Sequence, residues 1–215
     1  MIPVIRKGLF HERFRSQFAG MDGWRKKYFV IPVYQRKYDW KQENCRQLYE
    51  DLKKVARQGR ASHFFGSIVC SVEGNGSKIE YYVIDGQQRL TTVSLLLLAI
   101  RNLLAQQQIV SSDPSLCDEI QDCYLLSKYS HGEDKFKMRL LKGDSDAFKR
   151  LFGEEEDFDL SSNLTHNYQF FCDMLRKQEV SVDDLYSAIG RLEVICINLE
   201  RGDNAQLIFE SLGCI

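Results

Sequence analysis

Proline is scarce in this chain, with three in 215 residues, and there is no low-complexity tract and no internal repeat. That argues against disordered linkers and against a repeat architecture. No secretory leader is expected either, because Met1 to Gly20 carries charges throughout and lacks an apolar central stretch. The most apolar run, Leu90 to Leu104, is broken by Thr91, Thr92, Ser94, Arg101 and Asn102. It is shorter than the ~20 apolar residues of a membrane span, so it reads as a buried helix. These absences lead us to expect a cytoplasmic protein without a membrane partner. Familiar catalytic signatures are absent too. There is no Gly-x-x-x-x-Gly-Lys-Ser/Thr loop, no Gly-x-Ser-x-Gly elbow, and no Cys-x-x-Cys pair with which a His-x-Glu could form a deaminase-type zinc site. The seven cysteines (Cys45, Cys70, Cys117, Cys123, Cys172, Cys196 and Cys214) are odd in number and lack the short spacing of a metal or redox motif. They are expected to be reduced thiols, mostly small core residues.

What is present is a chain 44% hydrophobic and 12% aromatic, enough for one sizeable core or two small ones. The net charge of −1 hides an asymmetry: residues 1–60 hold 15 Lys/Arg against 6 Asp/Glu, and residues 61–215 hold 14 against 24. The basic part interleaves Arg6, Lys7, Arg13, Arg15, Arg25, Lys26, Lys27, Arg36 and Lys37 with Phe10, Phe14, Trp24, Tyr28, Tyr34 and Tyr38. That mixture suits a nucleotide or a nucleic acid, and equally an ordinary solvated face over core aromatics.

Periodicity outlines an α+β fold: a small sheet with a buried central helix, a helical insertion, and a strand returning late. Phe29 to Tyr34 reads as a short strand, with Pro32 placing it at an edge or bulge. Asp39 is expected to cap a helix starting at Trp40, with Cys45, Leu48, Tyr49, Leu52 and Val55 on its inner face. Phe64–Val72 and Ile79–Ile84 read as strands joined by a Gly-rich loop over residues 73–77. Asp85 is expected to cap the next helix, with Gln88 completing a capping box, and that helix is apolar almost all round. Residues 116–190 read as helices with polar loops, including a solvated acidic run at Glu154–Asp157, and Glu193–Leu199 as a strand. Asp203 then caps a last helix, with Gln206 three residues on. The corresponding organisation is a basic extension (1–28), a core (29–110), a helical insertion (111–192), and the returning strand with its last helix (193–215).

Chemistry concentrates at Asp85-Gly86-Gln87-Gln88-Arg89, where a strand turns through glycine into a helix N-terminus. Such a terminus favours an anion, by at most ~2 kcal/mol. Caps and a turn account for Asp85, Gly86 and Gln88. They do not account for Arg89, a cation in the first helical turn, which the dipole disfavours by ~0.3–1 kcal/mol and a bound anion would relieve. Ile31 to Trp40 forms a second constellation. Arg36 there is a candidate second cation, Tyr34 and Gln35 can hold a base, sugar or phosphate, and Tyr38 and Trp40 read as core at a strand-to-helix corner. In His63-Phe64-Phe65-Gly66-Ser67, Gly66 marks a close backbone approach, while His63 suits a surface role as well as a catalytic one.

Together, Ile31-Pro32 with Tyr34-Gln35-Arg36, Tyr38 and Trp40, then Phe65-Gly66-Ser67-Ile68, Val83 to Thr92, and Asp203 to Leu212 resemble the N-terminal domain of GmrSD-type, modification-dependent restriction endonucleases (domain of unknown function 262). The resemblance runs from about residue 29 to the C-terminus. It implies a ParB/sulfiredoxin-like fold in which the Asp-Gly-Gln-Gln-Arg loop binds and hydrolyses a nucleoside triphosphate, with Mg2+ as the expected accompanying ion and no dedicated protein metal site. It further implies a role in restriction or phage defence, regulating DNA cleavage by a nuclease domain. On this reading Asp85, Gln87 and Arg89 are catalytic. Tyr34, Gln35, Arg36, Gly86, Gln88, Thr91 and Thr92 hold the nucleotide, and Arg25, Lys26 and Lys27 contact DNA. The implied partners are DNA, modified or not, and a nuclease domain or subunit; homo-oligomerisation is left open. Gly213 stands where the family has Asn and the sequence ends at Ile215, so DNA cleavage by this chain alone is not expected. The alternatives are a nucleotide- or DNA-sensing module without turnover, and a poorly folded remnant.

Overall fold

A computed structural model of the chain describes residues 13–17, 27–75 and 78–199. The loop residues 76 and 77, the Asp203 cap and the last helix lie outside the described residues, as do Arg25, Lys26 and Cys214. The described chain is α+β. Six strands form one mixed sheet in the order β1-β6-β3-β4-β2-β5. β3 (His63–Asn75) is central, antiparallel to β4 (Lys78–Asp85) and parallel to β6 (Leu192–Leu199). Outside these lie β1 (Arg13–Gln17), antiparallel to β6, and β2 (Lys27–Val30), parallel to β4. The two-residue β5 (Met138–Arg139) extends the sheet beside β2.

β2 ends at Val30 rather than at Tyr34. Ile31 N–H still donates to Arg139 O (2.8 Å), but Pro32 has no N–H to continue the ladder. Its carbonyl instead accepts from Gln35 N–H (3.0 Å), and the resulting turn throws Val33 and Tyr34 into solvent.

Helix α1 (Gln42–Gln58) starts two residues later than expected, and Asp39 does not cap it. The N–H groups of Asp39 and Trp40 donate to Gln88 Oε1 (2.9 and 3.2 Å), which holds this stretch out of the helix. Asp39 pairs with Lys41 Nζ in solvent, and Asn44 Oδ1 accepts from Lys41 N–H. The expected inner face of α1 is buried: Cys45, Leu48, Tyr49, Leu52 and Val55.

Helix α2 (Gln87–Ala105) is the buried central helix, with every residue from Leu90 to Leu103 except Arg101 buried. Its cap differs from the capping box expected of Asp85 and Gln88. Gly86 is the N-cap, at φ 92°, and no side chain caps the terminus. A Cβ at Gly86 would fall 3.0 Å from Ser67 O and 3.1 Å from Ile68 Cγ1. The turn can pack on β3 only with glycine there, and Gln88 is spent elsewhere.

Residues 116–190 are helical with polar loops, as expected. α3 (Leu116–Ile120) runs into a π-type turn (Gln121–Leu125). α4 (Lys142–Arg150), α5 (Asn163–Arg176) and α6 (Val182–Gly190) follow, the last two capped by the Ser162 and Ser181 hydroxyls. The acidic run is an exposed 3-10 turn over Glu155–Asp157. α5 lies on α2 and α6 on α1, so one apolar cluster extends from Phe29 to Leu192. Two polar residues inside it were not anticipated. Asn102 donates to Leu151 O and Tyr168 Oη (both 2.9 Å), and Lys137 Nζ donates to Asp122 O and Cys123 O (both 2.8 Å). Cys45, Cys70 and Cys172 are buried, and Cys117 and Cys123 are partly buried. No described helix is long and apolar enough to cross a membrane.

Candidate functional site

The C-terminal end of β4 delivers Asp85 to the start of α2, and the segment after β2 folds across it. Between them lies a cleft of about 550 Å3, lined by Gln35, Arg36 and Trp40 on one side and by residues 84–89 on the other. Three glutamine amides stitch the two sides together. Gln35 Nε2 donates to Ile84 O (2.8 Å), Gln87 Nε2 to Arg36 O (3.1 Å) and Gln88 Nε2 to Lys37 O (3.2 Å). Gln88 Oε1 takes the Asp39 and Trp40 N–H groups. Each such bond is worth about 0.5–1.5 kcal/mol, and orphaning a buried main-chain partner costs more.

A second layer sits behind the stitches. Tyr38 is buried, and its Oη lies 2.7 Å from Thr92 Oγ1 and 2.9 Å from Asn167 Nδ2. Thr92 gives its one proton to Gln88 O (2.8 Å), so Tyr38 donates to Thr92 and accepts from Asn167. Burial pushes the Tyr38 phenol far above its ordinary range, and it stays neutral. Asn167, on α5, also donates to Trp40 O (2.8 Å). Tyr38 N–H donates to Asp144 (2.7 Å), whose carboxyl is pushed up by its own burial.

Among the described residues no ion pair forms within the cleft. The Arg89 guanidinium lies flat over Gly66: a Cβ there would sit 2.8 Å from Nε and 3.0 Å from Cζ. Gly66, at φ 122° beside an irregularity in the β3–β6 register, leaves room for it, so the close approach read at this glycine is real. Among the described residues Arg89 forms no ion pair, and its one side-chain hydrogen bond is a long one, from Nη1 to Ser67 O at 3.4 Å. The exposed Arg36 side chain and the half-buried Asp85 carboxylate have no hydrogen-bond partner among those residues either. Nor have the N–H groups of Gln87, Gln88 and Arg89, and the first turn of α2 carries no acidic residue. The arrangement therefore offers an anion two guanidinium groups and up to three N–H donors. One carboxylate is left to hold a cation or a proton. Among the described residues no group of three or more His, Cys, Asp or Glu is placed to hold a metal on its own.

Gln35, Arg36, Asp85, Gly86, Gln87, Gln88 and Arg89 thus meet at one cleft. Tyr34 does not line it and is 72% exposed on the turn; Thr91 and Thr92 are buried beneath it. Lys27 pairs with Ile79 at the far end of β4, roughly 20 Å from Asp85 by strand rise, with Nζ over the Tyr81 ring. Trp40, expected in the core, lines the cleft, although Tyr38 is core as expected. The Trp40 signal was available, as an aromatic four residues from Arg36. Asn167 left none, being 127 residues from its partner.

No curated protein matches the chain. The family profile described as GmrSD restriction endonuclease, N-terminal domain, does match, over residues 19–212, a span that contains every residue of the cleft and the α5 helix that braces it. The chain therefore belongs to the family of GmrSD restriction endonuclease N-terminal domains.

Proposed function

We propose that the cleft binds and hydrolyses a nucleoside triphosphate, and that this turnover regulates DNA cleavage by a nuclease domain or subunit of the same restriction system. The observation that carries this reading is Arg89. An arginine without an ionic partner among the described residues is held against the glycine backbone at the N-terminus of a buried helix. A phosphate chain supplies the missing negative charge. The cleft volume also falls within the ~300–1,000 Å3 usual for small-molecule sites.

The phosphates sit on the N–H groups of Gln87, Gln88 and Arg89. Arg89 and Arg36 neutralise charge that develops as the terminal phosphoryl group leaves, the main protein contribution in such reactions. Charge-assisted hydrogen bonds of this kind contribute ~1.5–3 kcal/mol each. Asp85 is the one carboxylate lining the cleft, and it fits Mg2+, which is commonly bound by one or two carboxylates plus phosphate oxygens. The ion would supply further neutralisation of the phosphates. Gln87 has its amide nitrogen committed to Arg36 O, so its oxygen is the atom free to orient an attacking water.

That commitment also favours a second reading, binding without turnover, in which the glutamines only build the cleft and a bound nucleotide signals to the partner. Phosphate release with Mg2+ and each nucleoside triphosphate, measured beside binding, separates the two. Turnover predicts that Asp85→Asn keeps or tightens nucleotide binding measured without Mg2+, by removing the one negative charge, while phosphate release with Mg2+ falls at least tenfold. Arg89→Ala should weaken binding about ten- to hundredfold, matching ~1.5–3 kcal/mol. A wild-type chain that binds no nucleotide, or an Arg89→Ala variant indistinguishable from it, rules out the proposal.

A further inference from the structure

Trp40 is the feature of the cleft that phosphate chemistry leaves unused. Apart from Ile84, it is the one apolar side chain in a lining otherwise made of glutamine, arginine, aspartate and glycine. An anion alone has no use for such a wall. The main chain of Trp40 is held on both sides. Its backbone N–H is fixed by Gln88 Oε1 at 3.2 Å and its carbonyl by Asn167 Nδ2 at 2.8 Å, so α2 and α5 grip the residue from both sides. A half-buried ring that lines a cationic cleft, on a main chain anchored at both its N–H and its carbonyl, presents a flat apolar face to a ligand.

We propose that Trp40 is the stacking platform for the base of the bound nucleotide, and that it makes the cleft select nucleoside phosphates over inorganic polyphosphate. The inference rests on the reading of the cleft as a nucleotide site and adds its specificity element. Arg36, Arg89 and the α2 N-terminus hold the phosphates, and Trp40 holds the ring. Stacking of a base on an aromatic side chain contributes about 1–3 kcal/mol, a factor of roughly five to 150 in affinity. Inorganic tripolyphosphate, which has the same charge chemistry and no ring, receives none of it.

The chain has two tryptophans, Trp24 and Trp40, so a Trp24→Phe background makes Trp40 the sole indole reporter. In that background, titration with nucleoside triphosphate should quench the fluorescence, and titration with tripolyphosphate should bind without quenching. Trp40→Leu keeps an apolar side chain and removes the ring; Trp40→Phe keeps a smaller ring. By calorimetry, Trp40→Leu should lose tenfold or more in nucleotide affinity with tripolyphosphate affinity unchanged, and Trp40→Phe should recover most of the loss. Equal effects on both ligands, no effect on either, or failure of Trp40→Phe to rescue overturns the stacking role while the nucleotide site stands. Trp40-dependent binding of a short single-stranded oligonucleotide, with mononucleotides inert, also overturns it. A wild-type chain that binds neither nucleotide nor tripolyphosphate removes the site and the inference together.

Discussion

Gly66 does not line the cleft, yet the seat of Arg89 depends on it. Its φ of 122° lies where L-residues are strained, and an added methyl would reach 2.8 Å from Arg89 Nε. Gly66→Ala should therefore cost about 1–3 kcal/mol of stability and should weaken nucleotide binding nearly as much as Arg89→Ala does, because the guanidinium must leave its seat. Denaturant melts and nucleotide titrations on the same preparations check both effects. Gly59→Ala is the comparison. Its φ is also positive, 58°, but the space around it is open. It should cost about 1 kcal/mol and leave binding alone. At this scale the sequence was partly legible. Gly66 announced a close approach, since glycine inside a strand has few other uses. Asp85 and Gln88 were misread as helix caps, because the local pattern Asp-x-x-Gln is a capping box whenever nothing competes. Here a left-handed Gly86 takes the cap, and the Gln88 amide takes partners about 50 residues away.

Elements were easier to read than their ends. β3, β4, β6, α1 and α2 all lie where periodicity placed them, because each buries a face or a whole surface that composition reveals. The ends of β2 and α1 missed by a few residues, for one reason: the stretch between them belongs to the cleft and obeys the glutamine stitches. Helix α6 offers a test of how loops hold elements. Asp183, in its first turn, accepts from the Ser111 and Ser112 hydroxyls and from Ser112 N–H, and these bonds hold its carboxyl below the ordinary range. With the folded pKa depressed, the stabilisation is fully present above the ordinary aspartate pKa and is lost as pH falls through the lowered value. Asp183→Asn should cost about 1 kcal/mol near neutral pH, discounted for partial exposure. It should also flatten the acid limb of the stability–pH curve, as read from urea midpoints between pH 3 and 7.

For the molecule as a whole, one continuous apolar cluster implies that sheet, central helix and outer helices melt together. Leu96→Ala or Leu97→Ala in α2 should cost about 2–5 kcal/mol and shift circular dichroism and tryptophan fluorescence transitions by the same amount; separated transitions would contradict the single core. Thiol chemistry reports on the same unit. Cys45 is pushed up to about 12 and Cys172 to about 11, both chiefly by burial. In the native protein Cys117 or Cys123 should react with a thiol reagent well before Cys45, Cys70 and Cys172, which should wait for unfolding. Long-range pairings of this kind were not readable beforehand, since neither the Asn102–Tyr168 bond nor the Asn167 clamp leaves a local pattern. The Asn167 clamp has a further consequence, one of timing. Residues 35–40 and 84–89 are made early, but the side chain that locks Trp40 and Tyr38 arrives more than 120 residues later. On a ribosome the cleft therefore lacks its Asn167 brace until α5 has emerged, so the proposed site is complete only once most of the domain has been made.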